Sequence, residues 1–311
     1  MYITKNGSLL STQSPNRESN SDSGSHHHFN PFLTTVHLLS FTSLPLSTVA
    51  PLATNIAIIP EVLTTIRVPP TIEVAQNGWS SLPLDPSQLW GGKPFKNIPG
   101  PILVNDIKFP EDIIAIEVQM YAKAMLPVQT FNHSTRVFYF ASAIVKQQFP
   151  KESETFNFST LTLASLLHDI GTTDDNLVST HMSFEFYGGY KALSLLLALG
   201  ASKDQAEAVA ETIIRHQDLG TAGNITFLGQ VIQLATIYDN VSDHPYLKNI
   251  TELIHIDTLQ DVVRAFPREH WLGCFAGTIE REESLKPWCH STHIPDFAEA
   301  VLNNTFMQPY E

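Results

Sequence analysis

From Pro110 onward, apolar residues recur at helical spacing. Pro110-Glu111-Asp112 opens a first helix, with proline and acids in the first turn where they are tolerated and favoured. Ile113, Ile116, Met120 and Ala124 then give it an apolar stripe, and Pro127 ends it. A second helix is predicted from about Asn132 to Gln148, carrying His133, Val137, Phe140 and Ile144 along one side. Ser159 or Thr160 can cap a third, which stops at His168-Asp169-Ile170-Gly171. A fourth runs from about Ser183 to Leu199 before Gly200, and Ser202-Lys203-Asp204-Gln205 reads as the capping box of a fifth that ends near His216. Phe227 to Asn240 is a sixth; Asp257 to Phe266, Phe275 to Leu285 and Pro295 to Asn304 are three shorter ones. No alternating run is long enough to demand a sheet and no repeat is evident. The pattern predicts an all-α domain in which one apolar stripe packs against another.

The chain before Pro110 reads differently. Residues 1–72 form a Ser-, Thr- and Pro-rich extension expected to be poorly ordered; its first thirty residues, with His26-His27-His28, cannot bury a core. Phe29 to Pro60 holds no Asp, Glu, Lys or Arg, yet Pro31, Pro45, Pro51 and Pro60 interrupt it. No run of about 20 mainly apolar residues survives to span a membrane, and the stretch begins too far along for a signal peptide. Residues 73–109 are expected to be an irregular lead-in wrapping the domain, and residues 110–311 the helical domain itself.

Composition narrows the partners. The 311 residues are 43% hydrophobic, enough for one large domain or two small ones. A net charge of -13 leaves no basic surplus to displace counterions from nucleic acid or to bind an anionic membrane. Two cysteines, Cys274 and Cys289, supply neither a disulfide framework nor a CxxC module, so a reducing, cytoplasmic setting is expected.

The chemistry gathers at Leu166-Leu167-His168-Asp169-Ile170-Gly171. Adjacent residues on a helix diverge by about 100°, so a His-Asp pair shares a task only around a single ion at the helix end. Imidazole and carboxylate suit zinc, iron or manganese. Alone, the dipeptide reads as a buried capping histidine beside a solvated acid. With His133 early on one helix and Asp239 at the end of another, three helices offer His, His-Asp and Asp in the order H…HD…D.

That order resembles the HD-domain superfamily of metal-dependent enzymes. Longer strings resemble the fungal-type cyanamide hydratases: Phe131-Asn132-His133-Ser134, the His168-Asp169 string, Ser183-Phe184-Glu185-Phe186-Tyr187-Gly188-Gly189, Ala235-Thr236-Ile237-Tyr238-Asp239-Asn240, Phe266-Pro267-Arg268 and Lys286-Pro287-Trp288-Cys289-His290-Ser291-Thr292. The resemblance covers roughly residues 76 to 308. It implies an HD-type helical bundle with His133, His168, Asp169 and Asp239 as ligands of one divalent metal, zinc first, with Fe2+ or Mn2+ as alternatives. Four protein ligands leave a position for water only in expanded coordination, or with one ligand weakly bound. The substrate is assigned to Asn132, Thr172, His216 and Asn240.

Three further residues carry open readings. His216 lies either beside the substrate or at a helix end facing the C-terminal dipole; with His181 it is one of two candidates for a second metal, though His181 reads as structural. Glu185, an acid among aromatic residues, either orients a ligand or moves protons, or else pairs with Arg136 or Lys191. Cys274, Cys289, His290 and His293 read as structural. The implied reaction is addition of a metal-activated water to the nitrile carbon of cyanamide to give urea, with Asp169, Glu185 or His216 handling protons, in a chain that is a monomer or a homo-oligomer. The alternative is a phosphohydrolase acting on nucleotides, which needs cations near the metal; only Arg136 and Arg215 are on offer.

Overall fold

The computed structural model describes residues 72–311, so the expectation for an N-terminal extension lies outside the described residues. Twelve α-helices occur among them: α1 (Ile72–Gln76), α2 (Ile113–Met125), α3 (Val128–Gln148), α4 (Pro150–Ser153), α5 (Phe158–Leu167), α6 (Asp174–Ser179), α7 (Phe184–Ala198), α8 (Lys203–Arg215), α9 (Phe227–Asn240), α10 (Ile256–Ala265), α11 (Trp271–Leu285) and α12 (Phe297–Leu302). The fold is all-α apart from one antiparallel ribbon, β1 (Ser81–Pro83) with β2 (Asn224–Thr226), in which Ser81 faces Thr226 and Pro83 faces Asn224. Three residues per strand are too few to leave an alternating signature in the sequence. None of the helices is long and apolar enough to cross a membrane.

Helix α3 is the axis of the domain. It starts at Val128, four residues before the expected Asn132, because Pro127 serves as its N-cap and needs no N–H there. From His133 to Val145 every residue on it is buried. It packs against α5 and α9, joining Val137, Phe138, Phe140 and Ile144 to Leu161, Leu163 and Leu166 of α5 and to Val231, Ile232 and Leu234 of α9. Each such side chain contributes about 1.5–3 kcal/mol by leaving water. A second, smaller apolar cluster unites Trp271, Phe275 and Ile279 of α11 with Phe184, Phe297 and Val301. His133 sits where the two clusters meet, its ring against Trp271 and Phe275.

Several local expectations are corrected. The α2 stripe points outward: Ile113, Ile116 and Met120 are 78%, 44% and 63% exposed, and the helix buries Ala115, Val118 and Ala122 instead. The N-cap of α5 is Asn157, whose side chain accepts from Ser159 N, while Thr160 donates to Asn77 Oδ1 at 2.6 Å. Ser202 caps α8, but Gln205 completes no reciprocal bond and reaches Thr160 Oγ1. Helix α11 begins at Trp271, ahead of the expected Phe275.

The segment before α2 is tied across the helices by long-range bonds. Trp79 Nε1 donates to the Asp204 carbonyl, the Lys96 and Asn97 amides donate to Gln148 Oε1, and the Ile102 amide donates to Thr258 Oγ1. Glycines set two close approaches. A Cβ on Gly171 would lie 2.1 Å from the Phe184 carbonyl oxygen, and one on Gly189 would lie 2.5 Å from Ile214 Cγ1. Gly171 therefore does more than end α5: it lets the start of α7 lie directly on the His168-Asp169 turn.

Candidate active site

Helix α5 ends at Leu167, His168 caps it in helical conformation, and Asp169 starts a tighter 3-10 turn over Ile170–Thr172. The Thr172 hydroxyl closes that turn by donating to the Asp169 carbonyl at 2.7 Å. The change of helical pitch between two adjacent residues is what brings both side chains to one point. His133 Nε2 lies 3.1 Å from His168 Nε2, and Asp169 Oδ2 lies 3.2 Å from His168 Nε2 and 3.6 Å from His133 Nε2. All three side chains are buried.

The tautomers follow from what lies behind each ring. His168 Nδ1 faces the Ser165 carbonyl at 2.7 Å, and His133 Nδ1 faces Asp239 Oδ2 at 2.6 Å. Both partners only accept, so each Nδ1 carries the hydrogen and each Nε2 turns a lone pair to the same spot. Neither Asp169 oxygen has a well-aligned hydrogen-bond donor despite complete burial. Two facing lone pairs and an unsatisfied buried carboxylate are unfavourable without a cation between them. Donors bound at about 2.0–2.2 Å to one tetrahedral or octahedral ion stand roughly 2.8–3.6 Å apart, which the three observed separations match. The residues present therefore fit a divalent metal.

Electrostatics favour that role at His133 and Asp169 and pull against it at His168. Burial pushes His133 down to about 4, so its imidazole is neutral. Burial also opposes a charge on His168, but the Asp169 carboxylate outweighs it and leaves His168 raised. Burial by itself would raise Asp169, yet His168 and His133 hold it down at about 2.

Asp239 stands behind His133 rather than beside the three converging atoms. Arg136 grips its carboxylate through Nε and Nη2, the latter at 2.8 Å, and Arg268 Nη1 bonds the other oxygen. These two guanidinium groups and His133 hold its carboxyl well below the usual range, against the upward push of burial. Arg136 also donates to the Phe266 and Pro267 carbonyls, and Arg268 to Glu311. Trp271 stacks on His133 with centroids 4.2 Å apart and planes 12° apart, while its Nε1 donates to Asn240 Oδ1 at 2.7 Å.

His216 repeats the His168 arrangement. It caps α8, donates from Nδ1 to the Ile213 carbonyl at 2.7 Å, and sets its ring edge-on to His168 at 5.3 Å. Burial, reinforced by His168, lowers it. With Thr236 and Asn240 it lines a cavity of about 410 Å³ walled mainly by Ile237, Val241, Ile294 and Phe297. No lysine or arginine lines this cavity.

Glu185 is fully buried on the first turn of α7 and pairs with neither Arg136 nor Lys191: Arg136 is taken by Asp239, and Lys191 reaches Asn176. Its Oε1 meets His290 Nδ1 at 3.2 Å, and its Oε2 has no partner. The Lys286–His290 string clamps the start of α7. Lys286 Nζ donates to the Met182 carbonyl, Trp288 Nε1 to the His181 carbonyl, and the His290 amide to Ser183 Oγ.

His133, His168, Asp169 and His216 thus come together, with Asp239 touching them through His133. Thr172 supports the Asp169 turn, Asn240 lines the cavity, and Asn132 reaches outward to the Pro267 carbonyl. His181 is exposed beside Trp288. Arg268 and His290 were missed as site residues, although both lie in strings singled out in the sequence; only spatial partners separated by 29 and 105 residues reveal them.

No family model matches the chain. Two relatives do: cyanamide hydratase DDI2 and cyanamide hydratase DDI3, both of Saccharomyces cerevisiae, are each 44% identical to it over 215 residues, spanning 68% of this chain and 91% of the relative.

Proposed function

The chain belongs to the cyanamide hydratase family, and from that membership we propose that it adds water across the nitrile of cyanamide to give urea, as a metal-dependent hydro-lyase of HD type. The observation that carries the metal part is the buried triangle of His133 Nε2, His168 Nε2 and Asp169, with a carboxylate that has no other aligned donor. Two imidazoles and a carboxylate suit zinc first, with Fe2+ or Mn2+ as alternatives. Such an ion supplies Lewis acidity, lowering the pKa of water from about 15.7 toward roughly 7.

The chain's own groups do the rest. Ser165 and Asp239 hold the two imidazoles with lone pairs inward. Asp239 reaches the centre through His133; its side chain would have to release that ring and Arg136 to become a fourth ligand. Held by these three residues, a zinc ion would keep a position open for water. Asp169, kept ionised, and Glu185, with a free Oε2, are the two bases able to take the proton of the attacking water. His216, with Nδ1 occupied, offers Nε2, and it and Asn240 line the cavity that would receive the nitrile.

A nucleotide phosphohydrolase is disfavoured by the same geometry. Arg136 and Arg268 are buried and spent on Asp239, Arg215 is engaged by Asp218 and Glu211, and no lysine or arginine faces the cavity. The two unpaired cysteines suit a reducing cytoplasm, and assembly into a homo-oligomer remains part of the reading. The full chain, supplied with cyanamide and separately with a nucleotide panel, should release urea and no phosphate. Urea release should stop after dialysis against a chelator and return with zinc. Phosphate without urea would overturn the assignment.

A further inference from the structure

Hydration of a nitrile to an amide breaks both O–H bonds of water as the carbon–oxygen bond forms, and makes two N–H bonds at the nitrile nitrogen, one in the addition and one in the tautomerisation that follows. Protons must move although none is consumed. The metal triangle is buried and the groups around it are enclosed, so the protons need a route. Glu185 offers its inner end: Oε2 is buried and has no hydrogen-bond partner, and the residue follows Phe184, whose ring packs against His216 with centroids 5.8 Å apart. The outer end is His290, whose side chain is 24% exposed and whose Nε2 lies 3.5 Å from Asp218 Oδ1.

We propose that Glu185 and His290, with Asp218 holding the outer nitrogen, form a proton-exchange pair that connects the buried centre to solvent during hydration. A proton accepted at Glu185 Oε2 is balanced by one released from His290 Nε2 beside Asp218, which leaves a neutral acid beside a neutral ring whose Nδ1 keeps its hydrogen. The charge of the pair is unchanged, and the reverse sequence returns a proton for the nitrile nitrogen. His290 acts through Glu185 and is a positioning residue rather than a catalytic one. Its acidic surroundings favour the protonated ring: Glu185 of α7 faces Nδ1, Asp218 faces Nε2, Glu282 of α11 lies nearby, and His293 of its own turn stacks on it at 4.0 Å. The hydrogen bond that Glu185 accepts, followed by these charges, raises His290 against the opposing effect of burial.

This inference rests on the hydratase reading, and its test separates the two. His290→Gln should lower kcat about tenfold or more with KM and metal content unchanged and with a larger solvent deuterium effect on kcat. His290→Ala should regain part of the loss in added imidazole. Asp218→Asn should move the His290-dependent limb of the kcat profile to lower pH. Wild-type kcat and pH profile in His290→Gln, with urea still produced, would overturn the relay and leave the hydratase reading intact. Imidazole NMR titration provides a readout that needs no turnover: Glu185→Gln should lower the His290 titration midpoint, and an unmoved midpoint would overturn the pairing even if cyanamide proves not to be the substrate.

Discussion

Asp239 Oδ2 lies 2.6 Å from His133 Nδ1, on the ring nitrogen turned away from His168 and Asp169. The same carboxylate is the counter-charge of two buried guanidinium groups. Asp239→Asn keeps the shape and loses the charge. We expect it to weaken metal retention about 10–100-fold, the usual cost of losing a carboxylate behind a ligating imidazole. Leaving Arg136 without a counter-charge, and Arg268 with Glu311 alone, should also destabilise the fold by about 3–5 kcal/mol. Competition with a chelator reads the first effect and guanidinium denaturation the second. A variant that retains metal like the wild type would show that Asp239 has no part in the centre.

Trp271 covers the other side of His133. Trp271→Ala should remove about 3–5 kcal/mol of stability, because the indole is fully buried in the smaller apolar cluster and stacks on His133. Trp271→Phe keeps an aromatic face on His133 and deletes only the donor to Asn240. It should cost no more than about 1.5 kcal/mol while lowering kcat through a displaced Asn240. Equal losses of stability in the two variants would contradict this division.

Gly171→Ala places a methyl group 2.1 Å from the Phe184 carbonyl oxygen. Backbone cannot yield cheaply there, so a loss of about 1–3 kcal/mol is expected. The shift falls on α7, one residue before Glu185, so kcat should drop by more than the loss of folded protein explains. Circular dichroism at the assay temperature distinguishes the two contributions.

His244 gives a pH dependence. Its Nδ1 accepts from the Tyr246 amide, and burial pushes the ring down to about 4. The folded ring stays neutral while the unfolded one takes a proton near 6.5. Between pH 6.5 and about 4 the unfolded chain binds more protons, so stability falls as pH falls, by up to about 3 kcal/mol. His244→Asn retains an acceptor for Tyr246 and cannot titrate. The difference between wild-type and variant denaturation free energies should be flat above pH 7 and change through that window; a constant difference would refute the assignment.

Local signals carried the helix limits well where caps or breakers act. Helix α9 covers Phe227–Asn240 as expected, and α7 is bounded by Ser183 and Gly200. His133, His168 and Asp169 were legible because each sits at a defined place on its helix and their order is diagnostic. The stripe of α2 was misread because periodicity reveals that a helix has an apolar face, not that the face is covered; the smaller Ala115, Val118 and Ala122 are what α2 packs inward. The partners of Glu185 and Asp239 were illegible for a different reason. His290 and Arg268 meet them through folding of the whole chain, and residue type offered Arg136 or Lys191 as structural partners for Glu185.

The carbonyls that orient His168 and His216 belong to the main chain of Ser165 and Ile213. No side-chain substitution at either position deletes the acceptor, so the aim of both imidazoles is buffered against point mutation. It is exposed instead to insertions and deletions: one residue added or lost near the end of α5 or α8 would rotate a histidine away from the centre. Natural variation in this protein should therefore tolerate changes of residue type along these helices far better than changes in their length.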